Sequence, residues 1–183
     1  MASRMSKKTW LKMIILIITV LALVSGALSC SDSSSPLGTK APEFTLPTLT
    51  GANITLSEME GTPVVLNFWA TWCGYCVGEL PYFEHVAQQR VGEIKVVAID
   101  VRESLSKVQN FFGDYEPTMI MALDSSAEAF VNYCRKYNNS RGSVPFTLFV
   151  DSEGLVQYVQ VGAFPSEAAL WDKVSSVLGI TAP

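Results

Sequence analysis

The stretch from Val64 to Cys76, Val-Val-Leu-Asn-Phe-Trp-Ala-Thr-Trp-Cys-Gly-Tyr-Cys, constrains the fold more than any other part of the chain. Its apolar first half reads as a buried strand, and it ends abruptly in a pair of cysteines. After Cys76 the pattern becomes helical, with Leu80, Phe83 and Val86 recurring at spacings of three. Cys73 therefore falls at or near the first turn of a helix, where unpaired backbone N–H groups and the positive end of the helix dipole favour thiolate over thiol. Cys76 lies one turn further in, able to reach back to Cys73 but less able to meet a bulky substrate. This order makes Cys73 the attacking sulfur and Cys76 the resolving one.

Other uses of a cysteine pair fit the sequence less well. A structural zinc site needs about four Cys or His ligands, and the remaining stock is Cys30, Cys134 and the lone His85. Covalent haem attachment needs His directly after the second cysteine, where Val77 stands. A peroxidatic Pro-x-x-x-Thr-x-x-Cys pattern would put Pro at Leu66 and Thr at Ala70. A copper carrier needs a His to complete its site, and His85 is nine residues past Cys76 on the same predicted helix. The pattern is that of a dithiol/disulfide pair at a strand-helix junction, which needs neither metal nor cofactor.

The 183 residues allow one globular domain and a short extension. Residues 1–29 have the layout of a secretory signal: basic residues up to Lys12, an apolar run from Met13 to Val24, then small residues before Cys30. Extended to Leu28 the run reaches about 16 residues, short of the ~20 that span a membrane as a helix. Ala27-Leu28-Ser29-Cys30 resembles a bacterial lipobox with Ala27 where Leu is usual, so Cys30 is the expected lipidation site; ordinary signal cleavage before Cys30 and an uncleaved anchor are the alternatives. Removal of Arg4, Lys7, Lys8 and Lys12 leaves nine basic and seventeen acidic residues, a net charge of -8. That acidic surface argues against nucleic acid as a partner. Residues 30–40, rich in serine, read as a flexible tether that can extend roughly 30 Å.

The folded domain is expected over residues 41–183. Phe44–Leu46 and Ile54–Leu56 flank turn residues and predict a hairpin. The central strand ends at Trp69, and the redox helix follows to about Val91 with Pro81 inside it. Ile94–Ile99 is a second buried strand, and Ser104 caps a helix carrying Leu105, Val108, Phe111 and Phe112. Thr118–Leu123 is a short strand. Ser125-Ser126-Ala127-Glu128 has capping-box spacing and opens a helix whose inner face holds Phe130, Cys134 and Tyr137. Phe146–Val150 and Leu155–Val161 are strands around a turn, and a last helix runs from Ser166 to a stop at Gly179. The result is an α/β domain with a mixed sheet covered on both faces.

Ala41-Pro42-Glu43-Phe44-Thr45-Leu46, Val65 to Cys76, Glu79-Leu80-Pro81 and Val144-Pro145-Phe146-Thr147-Leu148-Phe149-Val150-Asp151 together resemble the TlpA/ResA-like family of thioredoxin-fold proteins. The resemblance runs from about Ala41 to Leu178. It implies a thioredoxin-like fold with an N-terminal β-hairpin, here residues 44–56, and an extra strand-helix insertion, here roughly 104–123. It implies an exported, membrane-tethered thiol-disulfide oxidoreductase, a reductase of protein disulfides such as the haem-binding cysteines of apocytochrome c. A membrane thiol reductase would be its electron donor. It also makes Pro145 a cis-proline facing the cysteine pair, leaving the backbone at Val144 free to pair with an extended substrate; a trans proline opening an edge strand is the plainer alternative.

Two departures qualify the resemblance. Thioredoxin has a buried Asp where this chain has Asn67, and Glu79, three residues after Cys76 on the same helix face, is the expected replacement as proton acceptor. The dipeptide Gly74-Tyr75 differs from the Glu-Pro or Pro-Thr of cytochrome-maturation members and occurs in disulfide isomerases. An isomerase or oxidant of the same fold, and a non-catalytic binding module, therefore stand as alternative functions. Trp69 is expected beneath the cysteines and Trp72 at the surface against substrate, Cys134 in the core and His85 on a helix surface.

Overall fold

The computed structural model describes residues 35–183. The targeting segment, Cys30 and the first part of the tether lie outside the described residues. Five strands form the main sheet: β3 (Val64–Trp69), β4 (Lys95–Val101), β5 (Ile120–Asp124), β6 (Phe146–Val150) and β7 (Val156–Val161), in the order β5-β4-β3-β6-β7. β3, β4 and β5 are parallel, whereas β6 runs antiparallel to β3 and β7 antiparallel to β6. β3 is central and buried at all six positions, which explains why its sequence lacks the apolar/polar alternation of a half-exposed strand.

Alternate residues of β3 feed two cores. Val64, Leu66 and Phe68 point to the side covered by α3 (Glu128–Lys136) and by the hairpin of β1 (Thr45–Pro47) with β2 (Asn53–Thr55). Phe68 stacks against Tyr133, Phe130 and Phe146 at ring separations of 5.1, 5.6 and 5.9 Å. Val65 and Trp69 point to the opposite core, formed with α1 (Gly74–Gln89), α2 (Leu105–Phe112) and α4 (Glu167–Leu178). Parallel β3 and β4 are joined through α1, and β4 and β5 through α2, followed by a strand-helix-hairpin-helix arrangement. This is a thioredoxin-like fold; the hairpin and the α2–β5 unit are its additions. Among the described residues no helix is long and apolar enough to cross a membrane.

Both sheet edges are partly covered. At β5, the Leu49 N–H donates to the Met121 carbonyl at 3.1 Å, and Thr48 bridges Ala122. At β7, Gly38 N–H donates to Val156 O at 2.7 Å, Val156 N–H to Thr39 O at 3.0 Å, and Ala41 N–H to Gly154 O at 3.0 Å. Ordered pairing thus begins at Gly38, three residues inside the stretch that composition assigns to the tether. A serine-rich sequence gives no sign that its backbone will be used by a strand edge.

The capping box expected at Ser125 does not form. Ala127, in the left-handed region with φ of 59°, occupies the N-cap of α3, and the side chain of Ser125 turns away to donate to Glu103 O at 2.7 Å. Asp124, at the end of β5, does the capping instead: its Oδ2 accepts from the Phe130 N–H at 2.8 Å. Ser104 and Ser166 cap α2 and α4 as their spacing predicts, and Gly179 ends α4 with φ of 72°. Asp124→Ala would leave a buried helix N–H without an acceptor, and is expected to destabilise the domain by about 1–3 kcal/mol in urea titrations.

Candidate active site

β3 delivers the chain to a turn at Ala70–Trp72, and α1 begins immediately beyond it. Cys73 is the N-cap of α1, with extended backbone (φ -88°, ψ 98°), and its sulfur accepts the Cys76 N–H at 3.2 Å. The two cysteines are joined in a disulfide. Cys73 retains 8% of its surface and Cys76 none. The difference follows from helix geometry, since the second sulfur sits a turn deeper against the sheet.

Opposite the disulfide, the Val144–Pro145 peptide is cis, and the Val144 carbonyl oxygen lies 3.7 Å from Cys73 Sγ. Beside the pair, Trp72 is 67% exposed and Tyr75 81% exposed. Two large rings that the fold leaves in solvent next to a reactive group form an apolar rim. Trp69, by contrast, is fully buried and packs on Phe111 and Phe112 of α2.

Glu79 is 1% exposed, on the buried face of α1. The Phe164 N–H donates to its Oε2 at 2.8 Å and the Asn67 amide to its Oε1 at 3.1 Å; the same amide also donates to Thr147 Oγ1 at 3.0 Å. Burial pushes the carboxyl up to about 7, and the two hydrogen bonds only partly oppose that rise. Asn67 now has a physical reason: a second carboxylate at this β3 position would confront Glu79 with a like charge, whereas an amide supplies a donor.

A further pair of acids escaped the sequence reading. Glu103 follows β4 and accepts from the Thr71 N–H at 2.6 Å and the Thr71 hydroxyl at 2.8 Å, and it is also ion-paired with Lys107. It therefore clamps the turn two residues before Cys73. Burial alone would raise its pKa, but Lys107 and the Thr71 donors outweigh burial and hold it down at about 2. Asp100, wholly buried at the end of β4 in register with Trp69, makes no well-formed side-chain hydrogen bond. Burial first, and then the Glu103 carboxylate beside it, push Asp100 up to about 8. The Glu103 N–H and the Lys107 charge oppose this rise only in part, so the surroundings favour the protonated carboxyl. The only hint in the sequence is Asp100 ending an apolar run.

The structure thus brings Cys73, Cys76, Glu79, Trp72, Val144 and Pro145 into one region, with Cys30 outside the described residues. Cys134 is a buried free thiol in α3, and His85 is exposed on α1, where it contacts Glu167 at 2.9 Å.

The Redoxin family model matches residues 36–178. The chain is 34% identical over 128 residues to the thioredoxin-like protein YneN of Bacillus subtilis, covering 68% of this chain and 71% of that one. It is 31% identical over 170 residues to the thiol-disulfide oxidoreductase ResA of the same organism, covering 89% of both. Among solved structures, a thiol:disulfide interchange protein of the thioredoxin family from Chlorobium tepidum superposes with a TM-score of 0.62 at 27% identity, covering 78% of this chain and 97% of that one.

The buried acids set a pH dependence. A carboxyl whose folded value lies above its unfolded value holds an extra proton in the native state, so stability falls as pH rises between the two. For Asp100 that window runs from ~4 to about 8, and for Glu79 from ~4 to about 7. Glu103 acts oppositely, its contribution being present above ~4 and lost as pH falls through about 2. Asp100→Asn mimics the protonated acid. Its melting temperature should match wild type at about pH 3.5, below the window, and exceed it near pH 8 by at least ~3 °C; scanning calorimetry at both pH values checks this.

Proposed function

The chain belongs to the Redoxin family, in its TlpA/ResA-like branch of thiol-disulfide oxidoreductases, and from that premise we propose that it is an exported reductase of protein disulfides. The observation that carries the reading is the Cys73–Cys76 disulfide at the start of α1, its outer sulfur 3.7 Å from the Val144 carbonyl oxygen. In the reduced form, Cys73 thiolate attacks one sulfur of a substrate disulfide. A Cys73–substrate bond forms, the substrate S–S bond breaks, and the departing sulfur leaves as thiolate and takes a proton from solvent. Cys76, deprotonated by Glu79, then attacks Cys73 Sγ and expels the second substrate sulfur. The substrate gains two electrons and the enzyme keeps the disulfide. Trp72 and the Val144–Pro145 backbone hold the substrate chain as an added strand.

Glu79 suits this role because a carboxyl raised to about 7 is closer to the thiol it must deprotonate, which makes transfer efficient near neutral pH. Direction depends on what opposes the helix terminus, which stabilises the Cys73 thiolate and so favours an oxidant. No Lys, Arg or His lies within Cys73–Cys76, and the poorly solvated Glu79 disfavours a further anion. The gap between thioredoxin-like reductants near -270 mV and strong oxidants near -120 mV is ~7 kcal/mol. A thiolate shift of one or two pKa units supplies only ~1.4 to 2.7 kcal/mol of it. Gly74-Tyr75 favours the second reading, an isomerase.

On the cellular side, residues 1–29 act as a lipoprotein signal, Cys30 carries the lipid, and the tether holds the domain near a membrane thiol reductase that re-reduces it. Disulfide-containing exported proteins, apocytochrome c among them, are the substrate class.

Cys73→Ser should abolish insulin reduction, whereas Cys76→Ser should accumulate a mixed disulfide through Cys73, visible on non-reducing gels. Glu79→Gln should slow resolution of that adduct more than its formation; equal slowing in stopped-flow fluorescence rejects the proton-acceptor role. Equilibration against dithiothreitol mixtures should give a midpoint below about -180 mV, and a higher value transfers the protein to the isomerase class. Cys30→Ala should release the protein from membranes with its activity unchanged, which fractionation and mass spectrometry of the mature N-terminus check.

A further inference from the structure

Three of the nine basic residues beyond position 30, Arg102, Arg135 and Arg141, line a single open concavity of about 330 Å³. No Asp or Glu lines it, and its floor includes Phe130, Val131 and Cys134. Elsewhere the basic side chains are largely engaged: Lys40 with Glu60, His85 with Glu167, Arg90 with Glu93 and the Thr181 carbonyl, Lys107 with Glu103. Among the described residues, none of the three arginines has a carboxylate partner or makes a side-chain hydrogen bond. The guanidinium of Arg102 is close enough to Cys134 to oppose the burial that pushes this thiol up to about 11. Three uncompensated guanidinium groups over an apolar floor, in a domain of net negative charge, present an anion site.

The concavity adjoins the loop that bears the cis-proline. Asn139, one of its lining residues, ties that loop with two bonds to Ser143, accepting from its N–H at 3.0 Å and donating to its carbonyl at 2.8 Å. Arg141 precedes Val144 by three residues, a contour of at most ~11 Å, and the Val144 oxygen is 3.7 Å from Cys73 Sγ. An extended chain lying along Val144 with its cysteine at Cys73 would bring a residue within about five positions of that cysteine to the arginines.

We propose that Arg102, Arg135 and Arg141 form a substrate subsite that takes an Asp or Glu side chain of the protein whose disulfide Cys73 attacks. The planar fork of arginine suits a carboxylate, and the exposed Val131 accommodates the apolar part of the same segment. The assignment rests on the proposed attack by Cys73 beside Val144, and it makes selection among disulfides depend on acidic flanking residues.

The test uses the full-length protein and two synthetic disulfide peptides that differ only in carrying Asp-Glu or Asn-Gln three and four residues from the reactive cysteine. The measured quantity is the ratio of kcat/KM for the acidic to the neutral peptide. Replacing all three arginines by Gln should lower that ratio by about five-fold or more, the equivalent of one lost ion pair, with turnover of the neutral peptide retained. A matched variant, Lys40→Gln with Lys95→Gln and Lys173→Gln, changes the net charge equally and should leave the ratio as in wild type. An unchanged ratio in the arginine variant, or an equal fall in the lysine variant, overturns the subsite while leaving the reductase reading standing. Failure of wild type to reduce either peptide overturns both.

Discussion

The placement of β3 at the centre of the sheet is the constraint on which the site depends. A reactive sulfur must be accessible, so it cannot be fixed by its own burial; its precision has to come from the segment leading to it. β3 is bonded to β4 on one side and β6 on the other, and every residue from Val64 to Trp69 is buried. Such a strand has no freedom to slip, because a shift of one residue would turn Phe68 and Trp69 into each other's cores. The same strand pairs with β6, which begins at Phe146 directly after Pro145. Both halves of the site, the cysteine turn and the cis-proline loop, are thus the ends of two hydrogen-bonded neighbours.

Rigidity at the end of β3 is extended into the turn by charge. Glu103 satisfies both the N–H and the hydroxyl of Thr71, and its own charge is balanced by Lys107. The cost is borne by Asp100, which sits buried beside that carboxylate and is pushed up to about 8. Glu79 is handled differently: two donors and no cation leave it raised to about 7. Buried acids are therefore tuned apart by the donors and charges that reach them: Glu103 is lowered by Lys107 and the Thr71 donors, whereas burial prevails at Glu79, the acid proposed to exchange a proton near neutrality.

Much of this was legible in the sequence because it rests on local pattern. The largely apolar run of β3, interrupted only by Asn67, the spacing of Leu80, Phe83 and Val86, and the serine caps of α2 and α4 are each written within a few residues. What escaped is non-local. Asp124 displaced Ser125 as the cap of α3 because β5 ends where its carboxylate meets the Phe130 N–H, and no short-range rule weighs that against a capping box. Glu103 reaches Thr71 across 32 positions. Tyr133, fully buried with its hydroxyl donating to the Pro42 carbonyl at 2.8 Å, lies between Phe130 and Cys134 of the inner face, and its partner is 91 positions away. The pairing of Gly38 and Thr39 with Val156 reflects the needs of an exposed strand edge, not the propensity of the residues that cover it.

The division of exposure between the cysteines suits the proposed two-step exchange. In that proposal the first step needs a sulfur that a partner can still reach and an extended strand to pair with; Cys73 keeps 8% of its surface, and Val144 and the exposed rings of Trp72 and Tyr75 lie beside it. The second needs a sulfur that no outside molecule can intercept, and Cys76 is fully buried on the helix face that also carries Glu79. Burial that shields Cys76 also desolvates its would-be thiolate and raises the free energy of forming it. A base in the same dry layer, itself raised by the same burial, is the compensation that geometry makes available, and a solvent-exposed carboxylate of ordinary pKa would hold that proton far less readily.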